Sequence, residues 1–190
     1  AEGDSEQRAR ITEKVQDYGL SLWYLLENDP GLPEAFKAAA RRWGLPKDEF
    51  LESGHVTPQV YVRVARRLLG RYFITQNDLL YDRAKPDTVC MGSYNMDAHA
   101  IHIIQTDEGP VEEGHFNDAS DAWEIPYRSL LPYGLDNLVV VAAVSASHVA
   151  YSSLRMEPVF MMLGHAGGVA VDIARQDGAK AQDISIAKLQ

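Results

Sequence analysis

The chain has 190 residues, of which 46% are hydrophobic and 24% charged, and its formal net charge at pH 7 is -9. This composition is typical of a globular protein with one sizeable core. The acidic balance excludes a surface that binds nucleic acid or anionic membranes through clustered cations. The single cysteine excludes an internal disulfide framework. No apolar run approaches the about 20 residues that span a bilayer, so we expect a soluble protein, either cytoplasmic or exported.

Residues 1–70 are expected to be mainly helical. Apolar residues at helical spacing predict helices over 5–28, 34–43 and 58–69. Thr57 provides an N-cap for the third helix, and Gly70 provides its end. The aromatic residues of this region lie at helix-face positions and are expected in the core rather than on a sugar-stacking platform: Trp23, Tyr24, Trp43 and Phe50.

The pattern changes to short β-branched and aromatic runs in residues 71–136. Two strands are predicted, in TVCMGSY and HAIHIIQT. Residues 106–122 are acidic and contain glycine, which indicates a surface loop or hairpin connection. The following segment, EIPYRSLLP, is predicted to be extended, with its first proline at a strand end or sheet edge.

Residues 137–190 contain the stretch around which the other elements are expected to pack. Asn137–Val144 is an apolar, valine-rich run that predicts a strand buried on both faces. A polar loop follows, and a helix with apolar residues at helical spacing starts at Pro158. The predicted fold class is therefore α/β or α+β, with N-terminal helices packed on a mixed sheet and a C-terminal buried strand, loop and helix. A helix N-terminus after such a loop suits an anionic or electron-rich ligand.

Asp97 and His99 are two residues apart and share one face if the chain is extended there. A His/Asp pair suits acid–base work on a substrate hydroxyl. The alternative is a turn in which Asp97 bonds to backbone and His99 packs. His102 faces the opposite side, which leaves too few ligands for a metal site.

Arg128 beside Tyr127 forms another cluster on an extended segment. Such a pair suits a carboxylate, a phosphate or a sugar ring, although surface arginines are more often solvated or ion-paired. Arg63, Arg66 and Arg67 are interpreted as the solvated face of a helix. In the same way, His148 and Arg155 either face a ligand or brace a buried turn.

Four segments together resemble one family. The run SASHVAYSSLRMEPVFMMLG is similar to a signature that reads SASHxAYGSxRMEPVFMxLGQ. Upstream, GSYNMDAH resembles GSYNMDxH, and EIPYRSLLP resembles YxIxYRSLxP. The segment GHVTPQVYVRVARRLLGRYFITQNDL resembles a helix followed by xYxxTxxDL. These patterns belong to a bacterial branch of FAD-dependent oxidoreductases that is often labelled xanthan lyase, within the glutathione-reductase-like class.

The resemblance implies an FAD cofactor and hydride removal from an alcohol or amine carbon, in some cases of a carbohydrate. A lyase label does not fit flavin chemistry. The implied cofactor contacts are Ser145, Ser147, His148, Ser153, Arg155, Glu157, Pro158 and Met161. The implied catalytic residues are His99, His148 and Asp97, and the implied substrate contacts are Tyr94, Tyr127 and Arg128.

The GxGxxG fingerprint of a dinucleotide-binding half does not occur in this sequence. In the family it lies in an N-terminal segment, so the chain is expected to be the substrate-domain and C-terminal portion of an incomplete FAD-binding fold. The partners implied are a small-molecule substrate and either the missing nucleotide-binding half or a second copy of the chain. The alternative is a cofactor-free truncated relative that serves in binding or assembly. Ala143, Ser152 and His165 depart from the family's pattern and motivate that alternative.

Overall fold

The computed structural model describes residues 3–190. The chain divides into two compact units, Ala1–Val62 and Arg63–Gln190. Helices and small antiparallel sheets both contribute, so the prediction of an α/β or α+β class is confirmed. Among the described residues, no helix is both long and apolar enough to cross a membrane.

The first unit contains helix α1 (Ser5–Asn28), helix α2 (Glu34–Ala40) and one turn of 3-10 helix (Leu51–Ser53). The start of α1 is fixed by a reciprocal capping box. The Gln7 N–H donates to the Asp4 carboxylate over 2.9 Å, and the Asp4 N–H donates to the Gln7 side chain over 3.1 Å.

The expectation that the aromatic residues of this unit form a core is wrong. Tyr24 is 69% exposed and Trp43 is 75% exposed, and none of residues 3–62 is buried. Helix α1 has 24 residues and α2 has 7, so the two helices share one short contact face. A single face of this kind does not enclose large side chains. Trp23 and Phe36 instead line a shallow apolar cavity between the two helices.

The third predicted helix, over 58–69, does not form. The end of this segment is extended, and tertiary hydrogen bonds replace helical ones. The Leu68 N–H donates to the Ala143 carbonyl over 2.7 Å, and the Gly70 N–H donates to the Ser145 hydroxyl over 2.9 Å. Hydrogen bonds to a distant part of the chain therefore outweigh the helical preference that the spacing of apolar residues indicates.

The second unit contains three separate two-stranded antiparallel sheets rather than one mixed sheet. The strands are β1 (Thr88–Gly92), β2 (Met96–Ala98), β3 (His102–Thr106), β4 (Gly109–Glu113), β5 (Phe116–Asp118) and β6 (Trp123–Pro126). Strand β1 pairs with β6, β2 with β5, and β3 with β4. The "mixed sheet" of the prediction is thus corrected. Within residues 3–190, parallel pairing is limited to one isolated bridge between Ile74 and Ala146.

Four helices belong to this unit: α3 (Gln76–Leu80), α4 (His148–Leu154), α5 (Glu157–Asp177) and α6 (Ile186–Leu189). Two further turns of 3-10 helix cover Tyr127–Leu130 and Ala181–Asp183. The predicted helix at Pro158 is confirmed as α5, with the proline in its first turn and Gly178 at its end in the left-handed region.

The predicted buried strand over Asn137–Val144 is not formed. Isolated bonds take the place of a ladder: the Val140 N–H donates to the Leu130 carbonyl over 2.8 Å, and the Ala143 carbonyl accepts from Leu68. No flanking strand among residues 3–190 supplies the continuous row of partners that a central strand needs. The polar loop that was predicted next contains helix α4.

The core of the second unit lies between β1, β6, α4 and α5. Its largest fully buried side chains include Trp123, Tyr127, Ile74, Leu79 and Leu163. Helix α5 packs closely on the apolar run, because a side-chain carbon at Gly167 would lie 2.9 Å from a methyl group of Val141. This packing fixes the middle of α5 against the apolar run.

Candidate functional site

Helix α4 presents a polar stripe. His148, Tyr151 and Arg155 are spaced i, i+3 and i+7 and so lie along one side of the helix. Ser147 caps the helix by accepting from the Ala150 N–H over 3.1 Å. Arg155 follows the helix as its C-cap residue, and its charge acts on the His148 imidazole.

Arg67 reaches the same stripe from the extended segment before Gly70. Its guanidinium carbon lies 5.4 Å from the centre of the Tyr151 ring, which is a cation–π arrangement. Its Nε–H donates to the Ala146 carbonyl over 2.8 Å, which fixes its position beside the start of α4. The earlier interpretation of Arg67 as part of a solvated helix face is therefore corrected.

Two buried nitrogen atoms of this cluster have no hydrogen-bond partner, namely Nε2 of His148 and Nε of Arg155. Arg155 is only 7% exposed, and its one hydrogen bond runs from its terminal nitrogen to the Asp97 carbonyl over 2.8 Å. Buried polar groups are normally paired, because an unpaired one loses its hydration without compensation. Two buried nitrogens of the cluster therefore lack the hydrogen-bond partner that they need within the described chain.

The cluster is also electrostatically unbalanced. Within residues 3–190, no carboxylate lies within ion-pair distance of Arg67 or Arg155. Burial, and then the charges of Arg67 and Arg155, hold the pKa of His148 below its ordinary value. His148 is therefore neutral at pH 7, and the site carries two positive charges.

The start of α5 lies directly after this cluster. Met156 is its N-cap and supplies no side-chain hydrogen bond, so the first backbone N–H groups of the helix lack a side-chain cap. Glu157, Pro158 and Met161 are exposed there. Three of the predicted cofactor contacts therefore face outward at the positive end of a 21-residue helix.

Ser145 and Ser153, two other predicted cofactor contacts, are buried and engaged. The Ser145 hydroxyl accepts from the Gly70 N–H, and the Ser153 hydroxyl donates to the Tyr94 carbonyl over 2.5 Å. Trp123 donates to Ser153 from its indole nitrogen over 3.3 Å. In this structure these serines hold α4 against neighbouring segments.

Strand β2 lies against α4 and brings the second predicted cluster to the first. The Tyr94 hydroxyl lies 3.5 Å from a carboxylate oxygen of Asp97, whose backbone carbonyl accepts from Arg155. His99 follows the strand and is exposed. Across residues 3–190, no hydrogen bond or ion pair joins Asp97 to His99. The bond from Arg155 to the Asp97 carbonyl thus joins the two predicted clusters, and the grouping of Tyr94, Asp97, His99 and His148 in one site stays a prediction.

Tyr127 and Arg128 have structural contacts. Tyr127 is 1% exposed and donates its hydroxyl to the Ala181 carbonyl over 2.9 Å. Arg128 forms two hydrogen bonds, of 2.9 and 3.0 Å, with the carboxylate of Asp87. Although burial of Asp87 opposes it, the bonds from Arg128 hold the pKa of Asp87 below its ordinary value. The substrate-binding role of Tyr127 and Arg128 stays a prediction.

The fold and the site together define an α+β protein with an unsatisfied cationic cluster beside an uncapped helix start. The chain belongs to the FAD dependent oxidoreductase family, whose model matches residues 1–190. FAD dependence and oxidoreductase activity are properties at the level of this family. Neither a curated protein nor a solved structure matches the chain.

Proposed function

We propose that this chain forms the flavin-facing and substrate-side portion of an oxidoreductase that removes a hydride from an alcohol or amine carbon. The observation that carries the proposal is the pair of unpartnered buried nitrogens, His148 Nε2 and Arg155 Nε, beside the uncapped start of α5. A group of hydrogen-bond donors that also carries positive charge suits a ligand on which negative charge develops.

The residues fit one part of FAD. The pyrimidine edge of a flavin gains negative charge on reduction, and the start of α5 with Arg155 offers backbone N–H groups, a helix dipole and a guanidinium for that edge. The Gly-rich turn that normally holds the pyrophosphate does not occur in the sequence. We therefore propose that a further segment or a second chain holds the pyrophosphate.

The oxidation of an alcohol removes a hydride from carbon, which FAD accepts when bound, and a proton from oxygen, which a base of the protein accepts. His148 suits the role of base because it is neutral at pH 7 and partly shielded from solvent. His99, on the solvent side near Asp97, is the second candidate. We assign to Tyr94 and Asp97, whose side-chain oxygens lie 3.5 Å apart, the role of orienting the substrate hydroxyl.

The finer assignment rests on the motifs of the bacterial branch labelled xanthan lyase. A carbohydrate alcohol is the substrate that this branch suggests. A lyase breaks a bond by elimination and needs no flavin, whereas the family is FAD dependent. We therefore infer that oxidation, not elimination, is the reaction of this chain.

Binding of FAD to the purified chain tests the proposal. Quenching of flavin fluorescence on titration of the chain into FAD is the expected result, with weaker binding by Arg155→Gln and unchanged binding by Arg175→Gln. Arg175 is a matched control because it is exposed and paired with Asp172. Dye reduction with a panel of alcohols, amines and sugars then identifies the substrate class, and His148→Gln and His99→Gln identify the base. Absence of binding by the wild-type chain, with or without a nucleotide-binding partner, would contradict the proposal.

A second candidate function is a cofactor-free binding or assembly module. The observation that favours it is the apolar surface of residues 3–62, where Trp23, Phe36 and Trp43 line a cavity of about 320 Å³ and no residue is buried. Exposed apolar surface of this kind marks interaction sites. Concentration-dependent association without any affinity for FAD would favour this function over the first.

A further inference from the structure

Arg67 and Arg155 form no ion pair within residues 3–190. The chain has 27 acidic and 18 basic residues, and several of its arginines and lysines are paired, for example Arg83 with Asp121 and Lys188 with Asp177. Arg67 and Arg155 donate to the backbone carbonyls of Ala146 and Asp97 instead. Neither guanidinium is therefore offset by a carboxylate within the described chain, although the protein has an excess of carboxylates.

The donors that remain point to one kind of ligand. Arg155 is more than nine-tenths buried and has an unpartnered Nε–H, and His148 has an unpartnered Nε2 on the same side of α4. Arg67 lies over the Tyr151 ring, with its guanidinium carbon 5.4 Å from the ring centre. An oxyanion accepts from both nitrogens and offsets both charges, and guanidinium groups suit carboxylates as well as phosphates. The His148 residue is partly exposed, although its Nε2 atom is buried.

We propose that Arg67, His148 and Arg155 form a binding site for an oxyanion, and that the substrate of the enzyme carries a carboxylate which occupies it. In this arrangement Nε of Arg155 donates to the carboxylate, one terminal nitrogen stays bonded to the Asp97 carbonyl, and the other terminal nitrogen is left for the flavin edge. The assignment to the substrate rests on the oxidoreductase function proposed above, whereas the site itself does not. A bound carboxylate also offsets the two arginine charges that disfavour protonation of His148. With the Nε2–H donating to the carboxylate, Nδ1 is the nitrogen that accepts a proton, and substrate binding makes it a better acceptor.

Titration of the purified chain with sodium acetate, followed by NMR of the His148 ring, tests the site. Sodium chloride at the same ionic strength is the reference, because salt alone screens exposed charges. We expect a saturable shift of the His148 signals with acetate but not with chloride, together with a rise of the His148 pKa. Equal responses to acetate and chloride would overturn the proposal.

Three variants sharpen this test. Arg67→Gln and Arg155→Gln should each weaken acetate binding by about tenfold or more, because each removes a charged hydrogen-bond donor. Arg67→Lys keeps the charge and should fall between Arg67→Gln and wild type, and Arg175→Gln should bind as wild type does. If Arg155→Gln fails to fold, Arg67→Gln still decides the outcome, because Arg67 is only half buried. Unchanged binding by Arg67→Gln would contradict the site.

A parallel titration with sodium phosphate distinguishes the sources of the anion. Tighter binding of acetate than of phosphate supports a substrate carboxylate. Tighter binding of phosphate supports the oxyanion site but overturns its assignment to a carboxylate. None of these titrations contains FAD, so a failure of the FAD experiment and a failure of this site are separate results.

Discussion

The guanidinium of Arg155 donates to the backbone carbonyl of Asp97 over 2.8 Å and ties the end of helix α4 to strand β2. Because Arg155 is 7% exposed, this contact is shielded from water. It also fixes the orientation of the unpartnered Nε–H beside His148. One side chain thus joins the two clusters that the sequence places some sixty residues apart.

Arg155→Gln should lower the free energy of unfolding by about 1–3 kcal/mol, because the carbonyl of Asp97 loses a charged donor within a buried contact. Urea denaturation measures the change. Arg175→Gln, on the exposed side of α5, should change the free energy by no more than about 0.5 kcal/mol. Equal effects of the two substitutions would show that the contact with Asp97 does not stabilise the fold.

Gly167→Ala and Gly168→Ala should change stability in opposite directions. A side-chain carbon at Gly167 would lie 2.9 Å from Val141, whereas one at Gly168 meets nothing within 4 Å. At Gly167 the overpacking should lower the free energy of unfolding by about 1–3 kcal/mol, which outweighs the gain in helix propensity. Gly168→Ala has only the gain in helix propensity and should raise the free energy of unfolding by up to about 1 kcal/mol. Thermal unfolding of the two variants measures the difference. A higher melting temperature for Gly167→Ala would mean that α5 does not pack closely on residues 139–141.

The contribution of the ion pair of Asp87 and Arg128 to the free energy of unfolding should depend on pH. The pKa of Asp87 in the folded protein is below its ordinary value of 3.8, so the pair contributes fully above pH 3.8 and is lost as pH falls through the lower, folded value. The difference in unfolding free energy between wild type and Asp87→Asn should therefore narrow below pH 3.8. Asp121→Asn, in an exposed pair with Arg83, should show a small difference at every pH. A difference for Asp87→Asn that persists unchanged in acid would contradict the role of ionisation.

His148 should titrate below its ordinary pKa of 6.5, because burial and then Arg67 and Arg155 disfavour its charged form. Arg67→Gln should move the pKa back toward 6.5, and Arg175→Gln should not. NMR of the imidazole signals against pH measures both values. Since the folded pKa is the lower one, the contribution of His148 to stability is complete above pH 6.5 and declines as pH falls below it. A wild-type value at or above 6.5 would contradict the arrangement of the cluster.

Local sequence patterns predicted the elements whose causes are local. The apolar period of α1 and the proline at the start of α5 act within one or two helical turns. The apolar run over 137–144 was misassigned, because the formation of a strand depends on neighbours that the run cannot specify. Residues 58–69 have helical spacing, yet their last residues bond to the Ala143–Ala146 segment.

The candidate site was predicted in part. Motif resemblance selected His148 and Arg155, and their i, i+7 spacing becomes meaningful once α4 is known to be a helix. Arg67 was missed because its approach to Tyr151 is a contact between distant segments, and no local pattern marks it. In the same way, only the structure shows that Tyr127 is buried against Ala181.

The absorption spectrum of the native gene product, recorded with its intact mass, tests the central claim most directly. A protein that carries flavin absorption bands, or that acquires them with added FAD, is the expected result. It would direct the next experiments to Arg155, His148 and the start of α5. A native product of 21.1 kDa that is colourless and stays colourless with FAD would contradict the claim.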